Sequence, residues 1–578
     1  MIKHSILRKE VNGEEKNKEI TGFLLSNQNI FFSLSFGENF TNYNGLFSFY
    51  DNMPYKTIEN IYLDEKENGK IIVNKINSAE RIKGKAKEIF SLENNCLNYE
   101  VNDYNGWINI ELDFRSIFSK PRFGRIYSIY KDKIKNKKHI IIEYTNEENK
   151  EKHFIVLCGA EKYKLTNNWV RKEYIYDKKR SSNFEFYVYQ ALKIKCEEKI
   201  KIIISTGRTK EEAILNINEN NSQGFLKKIP EKDVDFAYIC ALNSLSGLMK
   251  DERNIRAGLP WFFQIWSRDE LISLNAFIQE GKYDITKKIL WKYLEKINEK
   301  GRIPNILDND ESTNADSTGW LFMRIKDFIG KFNKKTDRKD GDYISEKLRE
   351  TIEKNEKNYM ENSLIHNYAQ ETWMDSISRE GFCIENQAFY LNMLKLMQKF
   401  DNSQKWRKKE KDFRKTVKER FFENGILKDN LKDNEIRPNA FIAYYIYPEL
   451  LTKKEWESVF DNLLESLWLD WGGISTVDKK SKDFHEYYTG ENDFSYHQGD
   501  SWFWLNNLAA VSMIKLNKKK YKKYIEKIKE ASTKEILFGG LIGHASELSD
   551  AKELNPGGTF CQAWSSAIFI ELCRIICS

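Results

Sequence analysis

The sequence predicts a multidomain β + α protein, with an N-terminal antiparallel β-sandwich over residues 1–228 followed by a ring of twelve helices over residues 229–578. Three observations predict it. The chain has 578 residues, too long for one ordinary domain. Its hydrophobic pattern changes near Val234 from short alternating runs to the helical period. In the second part, six clusters rich in Trp, Asp, Glu, Asn and Arg each run directly into an apolar, helix-like stretch.

The strand readings come first. Gly22–Ser26, Ile30–Leu34, Lys70–Val73, Trp107–Leu112, His139–Glu143, His153–Leu157, Phe184–Tyr189 and Lys201–Ser205 are short or alternating apolar runs with Asn, Gly and Asp between them. Many short strands without intervening amphipathic helices predict a sandwich. One helix, Thr209–Asn216, follows the last strand. Helical periodicity then marks 233–249, 267–280, 283–299, 314–333, 342–360, 385–400, 402–423, 437–447, 452–467, 497–516, 518–534 and 563–577. The clusters at 257–269, 303–320, 371–387, 437–439, 472–499 and 543–564 precede every second helix. That alternation implies a ring whose inner helices bring their N-termini to one face.

Composition narrows the function classes. The net charge of +7 is a small imbalance between 93 basic and 86 acidic residues, and no basic block argues for nucleic acid. Lys518–Lys523 reads as a solvated turn. The eight cysteines show neither CxxC pairs nor zinc spacing, so they read as buried thiols in a reducing compartment. Met1–Arg8 lacks the apolar core of a signal peptide, and no apolar run reaches the ~18 residues of a membrane span. A cytoplasmic protein without metal or organic cofactor is expected. Oligomeric state is not legible.

Two carboxylate motifs carry the chemistry: Glu371-Thr-Trp-Met-Asp375, and His544-Ala-Ser-Glu547 continuing to Asp550. Glycoside hydrolysis needs two carboxyl groups across the scissile bond, one to protonate the leaving oxygen and one to activate water or attack the sugar. Read singly, Asp375 and Glu547 would be capping or loop carboxylates. The surrounding aromatic clusters favour the catalytic reading. In Ala257–Asp269, Trp261 and Trp266 suit either sugar stacking or a core, and Arg268 beside Asp269 suits either vicinal hydroxyls or a helix-start ion pair. Ile303-Pro-Asn305 and Arg437-Pro-Asn439 read first as turn chemistry. Asp316 and Trp320 stand four residues apart on one helix face. His497, with no metal-spaced partner, is a hydrogen-bonding or structural residue.

Taken in order, Trp266-Ser-Arg-Asp269, Ile303-Pro-Asn305, Asn314-Ala-Asp316, Thr372-Trp-Met-Asp375, Ile384-Glu-Asn-Gln-Ala388, Arg437-Pro-Asn439, Tyr496-His-Gln-Gly499, Ser546-Glu547 and Gln562-Ala-Trp564 resemble the amylo-α-1,6-glucosidase family, the glucosidase part of glycogen debranching enzymes. The resemblance covers about residues 250–570. Gly22–Ser26 and Tyr43–Phe47 are similar, more weakly, to the β domain of prokaryotic members. The resemblance implies an (α/α)6 toroid and an inverting glucosidase acting on α-1,6-linked glucose stubs of glycogen-type glucans. It implies Asp375 as general acid, Glu547 as general base, and Trp266, Arg268 and Asp269 around the terminal glucose. Asn305, Asp316, Trp373, Glu385, His497, Gln498 and Trp564 complete the candidate substrate-binding set, and Trp320, Trp373, Trp502 and Trp504 are expected to line a wider rim. Ser267 replaces a Gly common in the family, and Phe263-Gln-Ile265 replaces a Gly-rich approach to Trp266. No βα repeat remains unassigned, so no TIM-barrel transferase domain is expected in these residues. A glucoamylase-like or trehalase-like enzyme on the same fold and a non-catalytic glycan-binding protein are the alternative readings.

Overall fold

The structure, a computed structural model, describes residues 22–35, 38–64, 71–74, 78–134, 137–218, 232–307 and 309–577. Met1–Arg8 and the expected 228/229 boundary lie outside the described residues. The chain divides into two units, Met1–Leu248 with Ile536–His544, and Met249–Glu535 with Ala545–Ser578.

The first unit holds a large, branched sheet of fourteen strands among the described residues. Gly22–Ser26, Ile30–Ser35, Gly45–Tyr50 and Met53–Leu63 run antiparallel, each paired to the next. Met53–Leu63 then pairs with Cys96–Ser116, and that strand pairs with Glu185–Gly207. These last two are 21 and 23 residues long, so the predicted runs Phe184–Tyr189 (from Glu185 on) and Lys201–Ser205 belong to one strand. Their length changes the expected architecture. A single strand serves two parts of the sheet, bent at register shifts between Gln190 and Leu192 and between Glu198 and Lys199. The layers are therefore continuous through shared strands rather than separate sheets. Phe90, on the side branch Ala86–Glu93, packs 5.2 Å from Phe23 and 5.4 Å from Phe32, so the sheet folds over one common core. The pairing is not wholly antiparallel: Leu541–Ile542 adds to Gly22–Ser26 in parallel.

The helix Asp233–Leu248 belongs to this unit and packs on Gly22–Ser26. His544, the first residue of the second carboxylate motif, is bound here too. Its ring lies between the Ser244 hydroxyl at 2.9 Å and the Leu24 carbonyl at 2.9 Å. Burial pushes its pKa down to about 4, so it is a neutral structural residue.

In the second unit, six helices pack each on the next and the last on the first: Ser267–Gln279, Ser317–Phe332, Ile384–Phe400, Asn439–Ile446, Phe503–Asn517 and Ala563–Cys577. They are buried on almost every side, as apolar positions all round a helix require. Tyr283–Glu295, Arg338–Tyr359, Gln404–Phe421 and Lys453–Leu467 alternate with them and bury one stripe each. Lys453–Leu467 starts at a capping box in which Thr452 and Glu455 satisfy each other's backbone N–H groups. The helix predicted from 497 begins only at Phe503, because Ser501–Trp502 is drawn into a small antiparallel sheet with Leu548–Ser549 and Pro556–Gly557. No helix among the described residues is long and apolar enough to cross a membrane.

Candidate active site

The segments that precede the six buried helices are stitched to one another by hydrogen bonds to backbone groups. Trp266 bridges to Ile306, the Ala315 N–H donates to the Glu371 carbonyl, and Cys383 bridges to Asn430. Arg437 donates to the carbonyls of Thr476 and His497 at 3.1 and 2.7 Å. Ser501–Trp502 pairs with Leu548–Ser549, and Gly258–Leu259 pairs with Cys561–Gln562. The clusters, far apart in sequence, thereby form one closed belt.

Arg268 and Asp269 occupy the first turn of Ser267–Gln279, directly after its N-cap Trp266. The Arg268 Nε donates to both oxygens of Asp316, at 3.0 and 2.9 Å, and its Nη1 reaches Asp375 Oδ2 at 3.4 Å. Asp316 is the N-cap of Ser317–Phe332, yet its side chain makes no capping bond, since the guanidinium takes the carboxylate. Burial alone would lower the Arg268 pKa, but Asp316, Asp375 and Asp269 hold it up, so the cation is secure. Asp269 accepts a hydrogen bond from Gln562 Nε2 at 2.7 Å.

Asp375 lies in the loop before Ile384–Phe400 and keeps 39 % of its side chain accessible. Burial of the surrounding site raises its pKa, Arg268 opposes the rise and Asp316 adds to it. Glu547 is 2 % exposed. The Tyr496 hydroxyl donates to its Oε1, and the Thr559 N–H to its Oε2 at 2.9 Å. Burial pushes its pKa up to about 8, those two donors oppose the shift, and the charges of Asp269 and Asp375 reinforce it. Asp269 itself is pushed up to about 7, mainly by burial. Three carboxyl groups thus sense one another and cannot all ionise at neutral pH.

The remaining candidates are each held by named partners. Asn305 accepts from Asn314 at 2.8 Å within the belt beside Trp266. Trp373 is fixed by its Nε1 donating to Asn439 Oδ1 at 2.6 Å, and Asn439 in turn donates to Asp429. Glu385 has both oxygens engaged by Arg379, at 2.5 and 3.1 Å, and Arg379 also donates to Thr372 and Asp429. Glu385 therefore orders the loop that carries Asp375. His497 is fully buried, stacked on Trp502 at 5.0 Å, with Nδ1 2.8 Å from the Ser376 hydroxyl. Burial, and then Arg437, keep it neutral. The backbone of Gln498 accepts from His485 at 2.7 Å. Trp564 stacks on Trp504 at 5.2 Å.

The expected rim of Trp320, Trp373, Trp502 and Trp504 is corrected by the structure. All four are at most 2 % exposed. Trp373 meets Trp502 and Trp504 edge-on at 5.5 and 5.1 Å, and Trp504 meets Trp320 at 6.4 Å. Edge-to-face packing of large rings makes them the floor that stiffens the site. Sequence reasoning also passed over Tyr496, Gln562 and Thr559. The first two stand inside quoted motifs, but nothing local shows that they hold Glu547 and Asp269. Tyr496→Phe removes a donor that favours the Glu547 carboxylate, so the pKa of that group should rise. The pH–activity profile is then expected to move to higher pH by about one unit, with lower activity at pH 7; an unmoved profile removes Tyr496 from this role.

Glu535 supports the same segment, its Oε1 accepting from the Ser546 N–H at 3.0 Å, and burial pushes its pKa up to about 8. A carboxyl group whose folded pKa is raised keeps its proton on folding. Its stabilisation is complete below the unfolded value, about 4.5, and is lost as pH rises toward about 8. Glu535→Gln should therefore gain melting temperature relative to the native chain between pH 5 and pH 9, by several degrees at the alkaline end. Parallel melting curves across that range would show the expectation to be wrong.

Carboxyl groups that sense one another beside aromatic rings suit a glycoside hydrolase, and the family comparison agrees. The chain belongs to the amylo-alpha-1,6-glucosidase family, whose model matches residues 221–571. It is similar in fold to a bacterial glucoamylase solved with acarbose, at a TM-score of 0.64 and 12% identity, covering 95% of this chain and 93% of that one. A wild-type glycosidase matches at a TM-score of 0.47 and 10% identity, covering 60% of this chain and 99% of that one. A mannosylglycerate hydrolase from Thermus thermophilus in complex with glucose matches at 0.44 and 11%, covering 58% and 99%. No curated protein matches the chain.

Proposed function

We propose that the protein is an inverting amylo-α-1,6-glucosidase of the cytoplasm, which removes single α-1,6-linked glucose stubs from glycogen-type glucans on an (α/α)6 toroid. The observation that carries the reading is the pairing of Asp375, raised in pKa by burial against the pull of Arg268, with Glu547, held by Tyr496 and the Thr559 N–H. Asp375, which keeps its proton to higher pH than an ordinary carboxyl group, is the general acid that protonates the leaving glycosidic oxygen. Glu547 is the general base, active once ionised: its two donors stabilise that form against the burial that pushes its pKa up to about 8, and orient it to take a proton from water on the far face of the sugar. Water adds to the anomeric carbon as the glycosidic bond breaks, its proton passes to Glu547, and the Asp375 proton leaves with the freed hydroxyl. The carboxyl separation expected is about 6.5–9.5 Å. Trp266, Arg268 and Asp269 close around one terminal glucose, with Asp316 fixing Arg268. The supporting family match covers the whole of this set.

Product analysis tests it. Glucose should be released from a singly branched oligosaccharide far faster than from linear maltooligosaccharides, and NMR of fresh product should show the β-anomer. Preferential cleavage of linear α-1,4 chains or of trehalose would reassign the enzyme. An α-configured first product would overturn the inverting mechanism.

A further inference from the structure

The first unit carries a cluster of exposed aromatic rings that its own core does not explain. Phe123, Trp169 and Tyr187 are 90, 42 and 40 % exposed, and with Arg122, Arg125 and Glu185 they line a recess of about 560 Å³. That size lies in the range of small-molecule sites. Clustered exposed aromatics on a folded domain mark an interaction surface.

The recess is built rather than incidental. Tyr163–Glu173 pairs with Glu185–Gly207 so that Arg171 faces Tyr187 and Trp169 faces Tyr189. The Trp169 ring is held from one side by the Arg125 guanidinium, 4.7 Å from its centre, and from another by Tyr189 at 5.1 Å. Arg125 cannot swing away. It is 8 % exposed, its Nη1 bonds Asp113 at 2.8 Å and its Nη2 donates to the Tyr187 carbonyl at 2.7 Å. Burial of Asp113 is outweighed by Arg115, Lys56 and Arg125, which hold its pKa at about 2 and so keep the anchor charged. One surface of the indole is thus fixed against a planar cation, and its exposure falls on the rest of the ring.

The charges argue for a neutral ligand. Arg125 is matched by Asp113, and Glu185 by Arg171 at 2.7 Å. An anion would find the buried cation Arg125 already taken and only Arg122 left to it, an exposed side chain whose charge water screens. A neutral polyol would find aromatic faces for its C–H surface and edges of charged groups for its hydroxyls. We propose that this recess is a second carbohydrate site, which takes a stretch of neutral α-glucan chain and holds the polymer to the enzyme. The choice of α-glucan rests on the function proposed above; the site itself rests on the recess.

Affinity electrophoresis through gels containing glycogen tests it, with the full chain carrying Asp375→Asn so that the matrix survives. Trp169→Ala in that background should weaken retardation about tenfold, and Phe123→Ala with Tyr187→Ser should do the same without touching the core. Trp169→Tyr should keep most of the binding. With Asp375 native, Trp169→Ala should hydrolyse a short branched oligosaccharide at the parent rate but glycogen more slowly at low concentration. Unchanged retardation in both aromatic variants would overturn the proposal, as would a concentration-dependent dimer that Phe123→Ala abolishes without any effect on glycogen binding. Should the native chain hydrolyse no α-glucoside while Trp169-dependent retardation persists, the hydrolase reading fails and this site stands.

Discussion

Asp375→Asn and Glu547→Gln are each expected to lower turnover on a branched α-glucan by about 10²–10⁴-fold, the scale of general acid–base groups. Both changes keep the shape of the side chain and remove the proton chemistry. In Asp375→Asn the partly exposed amide can still accept from Arg268, so the Arg268–Asp316 pair persists. In Glu547→Gln the amide oxygen can still accept from the Thr559 N–H. Melting temperature should therefore change little, and binding of glucose should survive. Steady-state rates with matched melting curves check this. Near-native turnover in either variant removes that residue from the mechanism. The double variant should lose little more than the worse single one, because the two groups act in one step.

Gly558→Ala is expected to cost about 100-fold in turnover, although Gly558 supplies no side chain to the site. Its φ is +63°, a conformation L side chains rarely adopt, and a Cβ there would run into Glu547 Oε2 and lie 2.9 Å from Glu547 Cβ. Either the carboxylate or the Gly557–Thr559 backbone must give way. Both moves break the Thr559 N–H contact that orients the Glu547 carboxylate. A displacement near ~1 Å at a reacting group is worth about that factor. The loss should fall on kcat more than on KM, since Arg268 and Asp269, the groups proposed to bind the sugar, stand on the helix Ser267–Gln279 and not in this loop. A variant with native kcat would show that the geometry around Glu547 tolerates more freedom than the contacts imply.

Helical periodicity after Val234 marked all the long helices of the second unit, and the spacing of clusters marked which of them are buried on every side. These are local properties: amphipathic period, N-terminal polar residues and apolar run length are written within a dozen residues. The carboxylates Asp375 and Glu547 were legible because each stands in a motif whose residues are unusual together. Arg268 and Asp316 were legible as residues but not as a pair, since 48 positions separate them.

What the sequence by itself determined, then, is the β-then-α order and the helix positions; it also singled out the two carboxylates proposed here for catalysis. The tertiary structure alone decided how they are used. It turned Trp320, Trp373, Trp502 and Trp504 from a rim into a buried cluster, because rings that can pack edge-to-face on one another leave water. It assigned Glu385 to Arg379 and the Asp316 carboxylate to Arg268 instead of to its own helix cap. It joined predicted strands into one long strand that carries the sheet over its core. In each case the deciding contact lies between residues distant in the chain, and its energy depends on burial and pairing that no local pattern encodes.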